Sequence, residues 1–259
     1  MIIKYKNINV HYTDDGKGQV LVFLHGFLEN LTIWETFIKS FSHKYRVICI
    51  DLLGHGKTEC LGYIHSMEAM AQSVKAVLQY LKIEKATFFG HSMGGYVSLA
   101  YAEKYPGTIT GLCLVNSTSY PDSEEKKKNR DKAIKAVKQN HKLFIKLSIP
   151  NLFAEHNRVK FKEEIKLLKR EALKMPIQGI IAALEGMKIR SCRTQLLKDS
   201  SFKKMMIIGK KDPVLNYKDS LEQVKNTSVK LVEFPDGHMS FIENESLFLQ
   251  EIMHFIEFL

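Results

Sequence analysis

Cysteine and proline are scarce in this sequence of 259 residues, which contains four of the first and six of the second. The four cysteines have neither the spacing of metal ligands nor that of a disulfide framework. Cys49 and Cys113 lie within apolar segments, so we expect them to pack as small hydrophobic side chains. This use of cysteine indicates a reduced protein whose cysteines bind no metal.

Long apolar runs are also missing. No segment approaches the ~20 apolar residues of a membrane span, and residues 1–6 do not contain the apolar core of a signal peptide. We therefore expect a cytoplasmic protein without a membrane span. A chain of this length can bury one large core, and α/β chains of this size are often single domains.

Acidic residues are outnumbered two to one by basic residues in one part of the chain. Residues 118–200 carry 20 Lys and Arg against 10 Asp and Glu, so the whole formal charge of +10 lies in that segment. One interpretation is that the segment steers anionic substrates or docks on an acidic surface. The other, which we favour, is that lysines keep the outer faces of short helices solvated. Aromatic residues do not alternate with the basic ones as in single-strand binders, so no nucleic-acid partner is expected.

The most informative motif that is present is Gly-His-Ser-Met-Gly at residues 90–94. The apolar residues 86–89 before it are typical of a short buried strand, and residues 96–102 after it are typical of a helix. Small residues are needed where a strand turns sharply into a helix, and such a turn exposes the hydroxyl of the central serine. We therefore predict that Ser92 is a nucleophile.

A serine nucleophile needs a base, and the base needs a carboxylate that orients it. Asp212 follows the apolar segment 205–209, and His238 follows the segment 230–234. Both lie in loops at the carboxyl ends of predicted strands, where open parallel sheets place their sites. Serine, acid and histidine also follow one another in the order expected when a strand-turn-helix motif carries the serine. We predict a triad of Ser92, Asp212 and His238.

The same residues also have structural interpretations. An aspartate before a proline is often a turn residue, and a histidine beside a glycine is often a solvated loop residue. Asp236 is a rival acid, but it is only two residues from His238 and is better placed to shape the turn. Asn116, at the end of an earlier predicted strand, offers no carboxylate there.

A second strand-like segment, residues 20–24, runs into His25-Gly26-Phe27. Attack of a serine on a carbonyl group creates an oxyanion that needs two fixed hydrogen-bond donors. We predict that the backbone N–H groups of Phe27 and Met93 form this oxyanion hole. His25 is interpreted as a side chain that braces the loop.

Together these motifs resemble the α/β-hydrolase superfamily over nearly the whole chain outside residues 118–200. The resemblance rests on His-Gly-Phe at 25–27, Asp-Leu-Leu-Gly-His-Gly at 51–56, the serine motif, Gly-Lys-Lys-Asp-Pro at 209–213 and Gly-His at 237–238. Dehalogenase and epoxide-hydrolase branches carry an aspartate at the nucleophile position, where this chain has Ser92. The resemblance implies no metal and no organic cofactor.

The resemblance implies an α/β-hydrolase fold with an eight-stranded, mostly parallel sheet flanked by helices. The core is expected at 1–117 and 201–259, and a helical cap at 118–200. Hydrophobic periodicity agrees with this division, because the pattern becomes helical between 118 and 200. It predicts strands near 2–6, 8–12, 19–24, 45–51 and 109–116, and helices at 31–41, 66–81 and 246–259.

Seven apolar residues are expected to line the substrate pocket, some because they adjoin the predicted triad and others because they lie on the apolar face of the cap. They are Phe27, Leu28, Met93, Phe144, Phe153, Met187 and Met239. Ligand pockets are mostly apolar, and these walls favour an acyl or alcohol group of modest size. The resemblance therefore implies a carboxylesterase that acts on a small-molecule substrate through an acyl-enzyme, as a monomer or homodimer.

Two alternatives stay open. The segment 25–28 with Trp34 also resembles C–C bond hydrolases and the pyruvate-eliminating synthase of the menaquinone pathway. Such synthases carry an aromatic residue before the serine and an arginine after the paired glycines, where this chain has His91 and Tyr96. The cap could supply another arginine from Arg130, Arg158 or Arg170. The other alternative is a ligand receptor or a partner-binding regulator with little turnover.

Overall fold

An eight-stranded sheet lies at the centre of the computed structural model, which describes residues 1–259. Its strands are β1 (Ile2–Tyr5), β2 (Ile8–Gly16), β3 (Val20–Leu24), β4 (Arg46–Ile50), β5 (Ala86–His91), β6 (Ile109–Val115), β7 (Lys203–Gly209) and β8 (Val229–Phe234). Their order across the sheet is β1-β2-β4-β3-β5-β6-β7-β8. The pairs β1–β2 and β2–β4 are antiparallel, and the other five pairs are parallel. The predicted eight-stranded, mostly parallel sheet is confirmed.

The middle strands are apolar and buried along almost their whole length. All six residues of β5 are buried, and so are four of the five residues in β3 and in β4. A parallel strand that helices cover on both faces needs a continuous apolar run rather than an alternating pattern. The residues of β8, at the edge of the sheet, are mostly half-buried or exposed. Burial therefore decreases from the middle of the sheet to its β8 edge, and β5, which leads into the serine motif, lies in the interior.

The helices lie between and after these strands. The α-helices are α1 (Glu35–Phe41), α2 (Met67–Tyr80), α3 (Met93–Lys104), α4 (Glu124–Ser148), α5 (Lys162–Ala172), α6 (Ile177–Lys188), α7 (Thr194–Asp199), α8 (Tyr217–Glu222), α9 (Ser240–Glu243) and α10 (Glu245–Glu257). Short 3₁₀ helices span Leu31–Trp34, Ile149–Leu152 and Glu155–Asn157. None of the helices combines the length and the apolar character that crossing a bilayer requires.

Some boundaries differ from the sequence expectation. The helix predicted at 31–41 begins as a 3₁₀ turn, where the Asn30 side chain accepts the backbone N–H of Thr32 at 2.9 Å, and continues as α1. The helix after the serine motif begins at Met93, three residues earlier than expected, because Gly94 and Gly95 belong to its first turn. The helix predicted at 246–259 is α10, which begins one residue earlier and ends two residues earlier, and the short helix α9 that precedes it was not predicted.

Helices α4 to α7 are inserted between β6 and β7, within the residues expected to form a cap. Helix α4 is bent at Asn140, whose backbone dihedral angles are φ −158° and ψ 85°. Its two halves therefore run in different directions while α4 as a whole packs against α5 and α6. The insertion is thus a packed group of helices.

A buried ion pair joins the start and the end of this insertion. The Arg190 guanidinium donates to Asp122 Oδ1 at 2.6 Å and to the carbonyl oxygen of Tyr120 at 3.1 Å, and it lies 4.2 Å from the ring centroid of Tyr96 in α3. The two charged side chains are 3% and 0% exposed. Burial raises the pKa of Asp122, but Arg130 and Arg190 outweigh that effect and hold the pKa below its usual value. Asp122 is therefore ionised.

We expect Asp122→Asn to lower the free energy of unfolding by about 3 kcal/mol, because it leaves the buried Arg190 without a counter-charge. Urea unfolding followed by circular dichroism measures this loss. Asp131→Asn is the matched control, since Asp131 pairs with Lys188 on the surface and is 54% exposed. The control should change stability by less than about 0.5 kcal/mol. Equal losses in the two variants would contradict the assignment of Asp122 as a buried anchor.

Candidate active site

Ser92 lies on a sharp turn between β5 and α3. Its backbone dihedral angles are φ 48° and ψ −113°, a conformation that L residues rarely adopt. From Ala86 to Ala102 every residue is buried except Ser92, which is half-buried. The turn therefore holds this one hydroxyl at the surface of an otherwise closed segment, at the positive end of the α3 dipole.

The glycines of the motif are required by close packing. A Cβ atom at Gly90 would lie 2.5 Å from the carbonyl oxygen of Gly94 and 2.6 Å from the Cα of Gly95. A Cβ atom at Gly94 would collide with the backbone carbonyl oxygens of Leu24 and His25. Because backbone atoms cannot move aside as a flexible side chain can, only glycine fits at 90 and 94.

Asp212 and His238 meet at the carboxyl end of the sheet. Asp212 Oδ1 accepts the backbone N–H groups of Val214 at 2.8 Å and Leu215 at 3.0 Å. Its Oδ2 accepts His238 Nδ1–H at 2.7 Å and the Asn116 side-chain amide at 3.0 Å. A carboxylate bonded in this way fixes the imidazole tautomer in which Nδ1 carries a proton and Nε2 is free to accept one.

The carboxylate of this pair is ionised. Burial raises the pKa of Asp212, but the neighbouring His238 and the backbone N–H groups of Leu215 and Val214 outweigh it, so the pKa lies below its usual value. Asp212 therefore carries a negative charge that can stabilise an imidazolium at His238.

Asp236, the rival acid, has a different partner. Its Oδ1 lies 3.0 Å from Nε2 of the exposed His156. Asn116 contributes an amide instead of a carboxylate: besides Asp212 it donates to the carbonyl oxygen of Gly237 at 3.2 Å. Sequence reasoning missed this link. The position of Asn116 directly after a buried strand could have indicated this role. Asn is one of the few residues that tolerate the left-handed backbone found here, with φ 43°.

The backbone of His238 is held from two sides. Its N–H donates to the carbonyl oxygen of Leu152, in the inserted segment, at 2.9 Å. Its carbonyl oxygen accepts His91 Nε2–H at 3.0 Å. No hydrogen bond joins the Ser92 hydroxyl to the His238 imidazole in this structure, and such bonds are often long before substrate binds.

A buried glutamate ties the His238 loop to the insertion. Glu243 Oε1 accepts the N–H of Gly237 at 3.0 Å, and Oε2 accepts the N–H of Ala154 at 3.0 Å and the Asn157 amide at 2.8 Å. Burial raises the pKa of Glu243 even though these donors lower it. No pattern in the sequence indicated this residue, because its partners lie 86 and 89 positions away.

The loop after β3 lies on the other side of Ser92. Neither Phe27 nor Met93 donates its backbone N–H to another protein atom. These are the two donors expected for an oxyanion. His25 supports the loop as expected, because Nδ1 lies 2.8 Å from the carbonyl oxygen of Gly26 and Nε2 accepts the N–H of Leu52 at 3.0 Å.

The predicted pocket residues differ in their burial and in the cavities that they line. Phe27 and Phe144 are half-buried, and the other five are buried. Leu28 lines a cleft of about 500 Å³ together with Phe161 and Phe241, whereas Phe153 lines a cavity of about 570 Å³ beside Lys211 and Pro213. The structure therefore places these two residues at different cavities.

Comparison with known proteins gives a consistent result. A model of the alpha/beta hydrolase fold matches residues 19–245. A thermophilic esterase from Thermogutta terrifontis is 29% identical, with a TM-score of 0.91 over 96% of this chain and 93% of that one. An enol-lactonase from Burkholderia xenovorans LB400 has a TM-score of 0.92 over 99% and 100% of the two chains at 21% identity, which shows a shared fold.

Curated relatives match over a shorter stretch. An uncharacterized hydrolase of Bacillus subtilis is 33% identical over 111 residues, which are 42% of this chain and 40% of that protein. The chain matches only 30–40% of the length of such relatives, including an uncharacterized protein of Mycobacterium tuberculosis.

Proposed function

The chain belongs to the α/β-hydrolase family, and we propose that it is a serine hydrolase that cleaves small to medium apolar carboxylic esters through an acyl-enzyme. The observation that carries this proposal is the half-buried Ser92 on its strained turn, on the same edge of the sheet as the Asp212–His238 pair. Hydrolysis by this family needs a nucleophile, a base and an orienting acid, and these three residues supply them.

The reaction begins at Ser92. His238 Nε2 accepts the serine proton as the hydroxyl attacks the ester carbonyl, and Asp212 stays ionised beside the imidazolium that forms. His238 then gives the proton to the leaving alcohol. Water repeats the sequence with His238 as base and releases the acid from Ser92.

The oxyanion of each tetrahedral intermediate needs donors that are already in place. We assign them to the backbone N–H groups of Phe27 and Met93, which have no other partner in the protein. Met93 is also the first residue of α3, so the helix dipole adds positive potential at this point.

We propose residues 118–200 as a cap over this site. The contact of Leu152 with the His238 N–H and the contacts of Glu243 with residues 154 and 157 support it, because they connect the insertion to the loop of the base. The apolar side chains named above for the pocket favour substrates with an apolar acyl or alcohol group.

The eliminating-synthase alternative needs a free cation for substrate carboxylates. Arg130 and Arg170 are both paired with acidic side chains, and the arginine that covers Tyr96, Arg190, is paired with Asp122. Arg158 forms no salt bridge and lines the cavity beside Phe153, so it is the cation that this alternative would use. We favour ester hydrolysis because Tyr96 stands where such synthases carry an arginine. The esterase named for the similar Thermogutta terrifontis structure agrees with that choice.

A panel of p-nitrophenyl esters, from acetyl to lauroyl, tests the proposed function. We expect many turnovers per site, with the highest kcat/KM for short to medium acyl chains. Folded protein that turns over no ester of the panel would favour the receptor or regulator alternative. Hydrolysis of a C–C bond substrate at a higher kcat/KM than any ester would favour the second alternative.

The acid of the triad has its own test. We expect Asp212→Asn to lower kcat by about 10⁴-fold, because an amide favours the wrong imidazole tautomer and cannot stabilise the imidazolium. Steady-state ester hydrolysis measures the change. Asp236→Asn is the control, since Asp236 pairs with the exposed His156, and it should keep kcat within about threefold. A loss in the control as large as in Asp212→Asn would move the assignment to the rival acid.

A further inference from the structure

Two buried side chains beside the triad are not used by the mechanism above. Glu29 lies in the loop after β3, and His91 is the last residue of β5, directly before Ser92. Both side chains are 1% exposed, and His91 Nδ1 lies 2.9 Å from Glu29 Oε2. A buried carboxylate and imidazole at this distance form a charged pair if the imidazole holds two protons.

The partners of His91 decide how many protons it holds. Nδ1 faces a carboxylate oxygen, and Nε2 faces the carbonyl oxygen of His238 at 3.0 Å. Both partners accept hydrogen bonds, so both ring nitrogens must donate, whereas a neutral imidazole donates from only one. The geometry therefore indicates an imidazolium beside an ionised Glu29.

The other contact of Glu29 reaches the predicted oxyanion hole. The same atom, Oε2, accepts the backbone N–H of Gly26 at 2.5 Å. Gly26 directly precedes Phe27, and Leu28 in the same turn has a left-handed backbone with φ 63°. One carboxylate oxygen thus connects the oxyanion loop to the residue before the nucleophile, and His91 extends the connection to the loop of the base.

We propose that Glu29 and His91 are a positioning pair that fixes two loops relative to Ser92: the oxyanion loop, which contains Gly26 and Phe27, and the loop of His238. The pair holds one proton more than a carboxylate beside a neutral imidazole would hold. The proposal rests on the serine-hydrolase function stated above. Neither residue touches the reacting atoms: Glu29 acts through Gly26, and His91 acts through the carbonyl oxygen of His238.

The charges around the pair support the same arrangement. Burial lowers the pKa of His91, but the negative charge of Glu29, its hydrogen bond and the His238 carbonyl outweigh it, so the pKa is raised above its usual value. Burial raises the pKa of Glu29, and His91 outweighs that effect and lowers it. The other titratable groups that face the pair are Asp212, His238 and His25. His91 therefore stays charged below its raised pKa and loses its proton as the pH rises through that value.

Glu29→Gln is the most discriminating variant. The oxygen that contacts both Gly26 N–H and His91 Nδ1–H becomes either an amide oxygen or an amide nitrogen. If the amide oxygen takes this position, the buried imidazolium loses its counter-charge. If the amide nitrogen takes it, two donors face each other, because the nitrogen then points at the Gly26 N–H. We expect kcat for ester hydrolysis to fall about 100-fold with KM changed less than about threefold, because misplaced catalytic groups affect the transition state most.

The pH profile separates this role from a merely structural one. In the wild type kcat should fall on the alkaline side as His91 loses its proton. His91→Phe removes the titrating group, so its residual activity should have no alkaline fall. His11→Gln is the matched control, because it removes the imidazole of a second histidine–carboxylate pair, in which the half-buried His11 contacts Asp51 at 2.7 Å, and should keep the wild-type profile.

A direct measurement does not depend on activity. Imidazole ¹⁵N chemical shifts of the wild type, with His91 assigned by comparison with His91→Phe, should show an imidazolium at pH values above the ordinary histidine pKa of about 6.5. A neutral His91 at that pH, or a Glu29→Gln variant with unchanged kcat and pH profile, would overturn the proposal. An inactive wild type with a charged His91 would instead count against the proposed function.

Discussion

Replacing Ser92 with alanine should lower kcat for ester hydrolysis by about 10⁶-fold, the size of loss found when the nucleophile of a serine triad is removed. Without the hydroxyl no acyl-enzyme forms, and the remaining activity comes from binding and the oxyanion donors alone. The variant should fold normally, because the Ser92 side chain caps no helix N–H and alanine is no larger than serine.

Labelling with a fluorophosphonate measures this prediction without a substrate. Intact mass spectrometry of the wild type should show one adduct per chain, and the Ser92→Ala protein should show none. Ser98→Ala is the matched control. Ser98 lies in α3, the helix that begins directly after Ser92, and it is buried and donates only to the carbonyl oxygen of Gly94 at 2.8 Å. The control should be labelled like the wild type. An adduct that persists on Ser92→Ala would place the reactive hydroxyl elsewhere.

Ser92 also shows why the core of the fold could be predicted from the sequence. The strand before it is a continuous apolar run, and the residues after it include Gly94 and Gly95, where a Cβ atom would collide with neighbouring segments of the chain. Such signals are local, because burial on both faces of a strand and close approach of the backbone act on neighbouring residues. The sheet and the family followed from signals of this kind.

Contacts between distant residues could not be predicted in this way. Glu29 meets His91 across 62 positions, and Asn116 meets Asp212 across 96. A glutamate in a loop is usually solvated. Glu29 is buried because the loop after β3 packs against the end of β5, which local sequence patterns do not indicate. Sequence reasoning therefore noted His91 as a departure from a synthase pattern but did not find its partner.

The lining of the pocket was the least predictable part. Helical periodicity identifies an apolar face, but the bend within α4 changes where that face points. At the bend the Asn140 side chain accepts the N–H of Leu143 at 3.0 Å, as an N-cap residue does. Phe144 lies beyond the bend and is only half-buried. Which side of a cap helix meets the core depends on how the whole insertion docks, and that is a property of tertiary packing.

Removing the imidazole of His238 should be nearly as damaging as removing the serine, because base and nucleophile act as one unit. We expect His238→Ala to lower kcat by about 10⁶-fold and to slow fluorophosphonate labelling strongly, since Ser92 loses its proton acceptor. The double variant with Ser92→Ala should be no slower than either single variant. His156→Ala, an exposed histidine near the acid loop, should keep wild-type kcat.

The strength of this prediction depends on whether another imidazole can replace His238. His91 is the nearest candidate, with its ring centroid 5.0 Å from that of His238. Its two nitrogens face Glu29 and the His238 carbonyl oxygen, so neither is directed at the serine hydroxyl, whether His91 holds one proton or two. His238→Ala should therefore stay inactive at every pH at which the protein is folded. Activity that returns at alkaline pH, where His91 becomes neutral, would show that His91 can serve as a base.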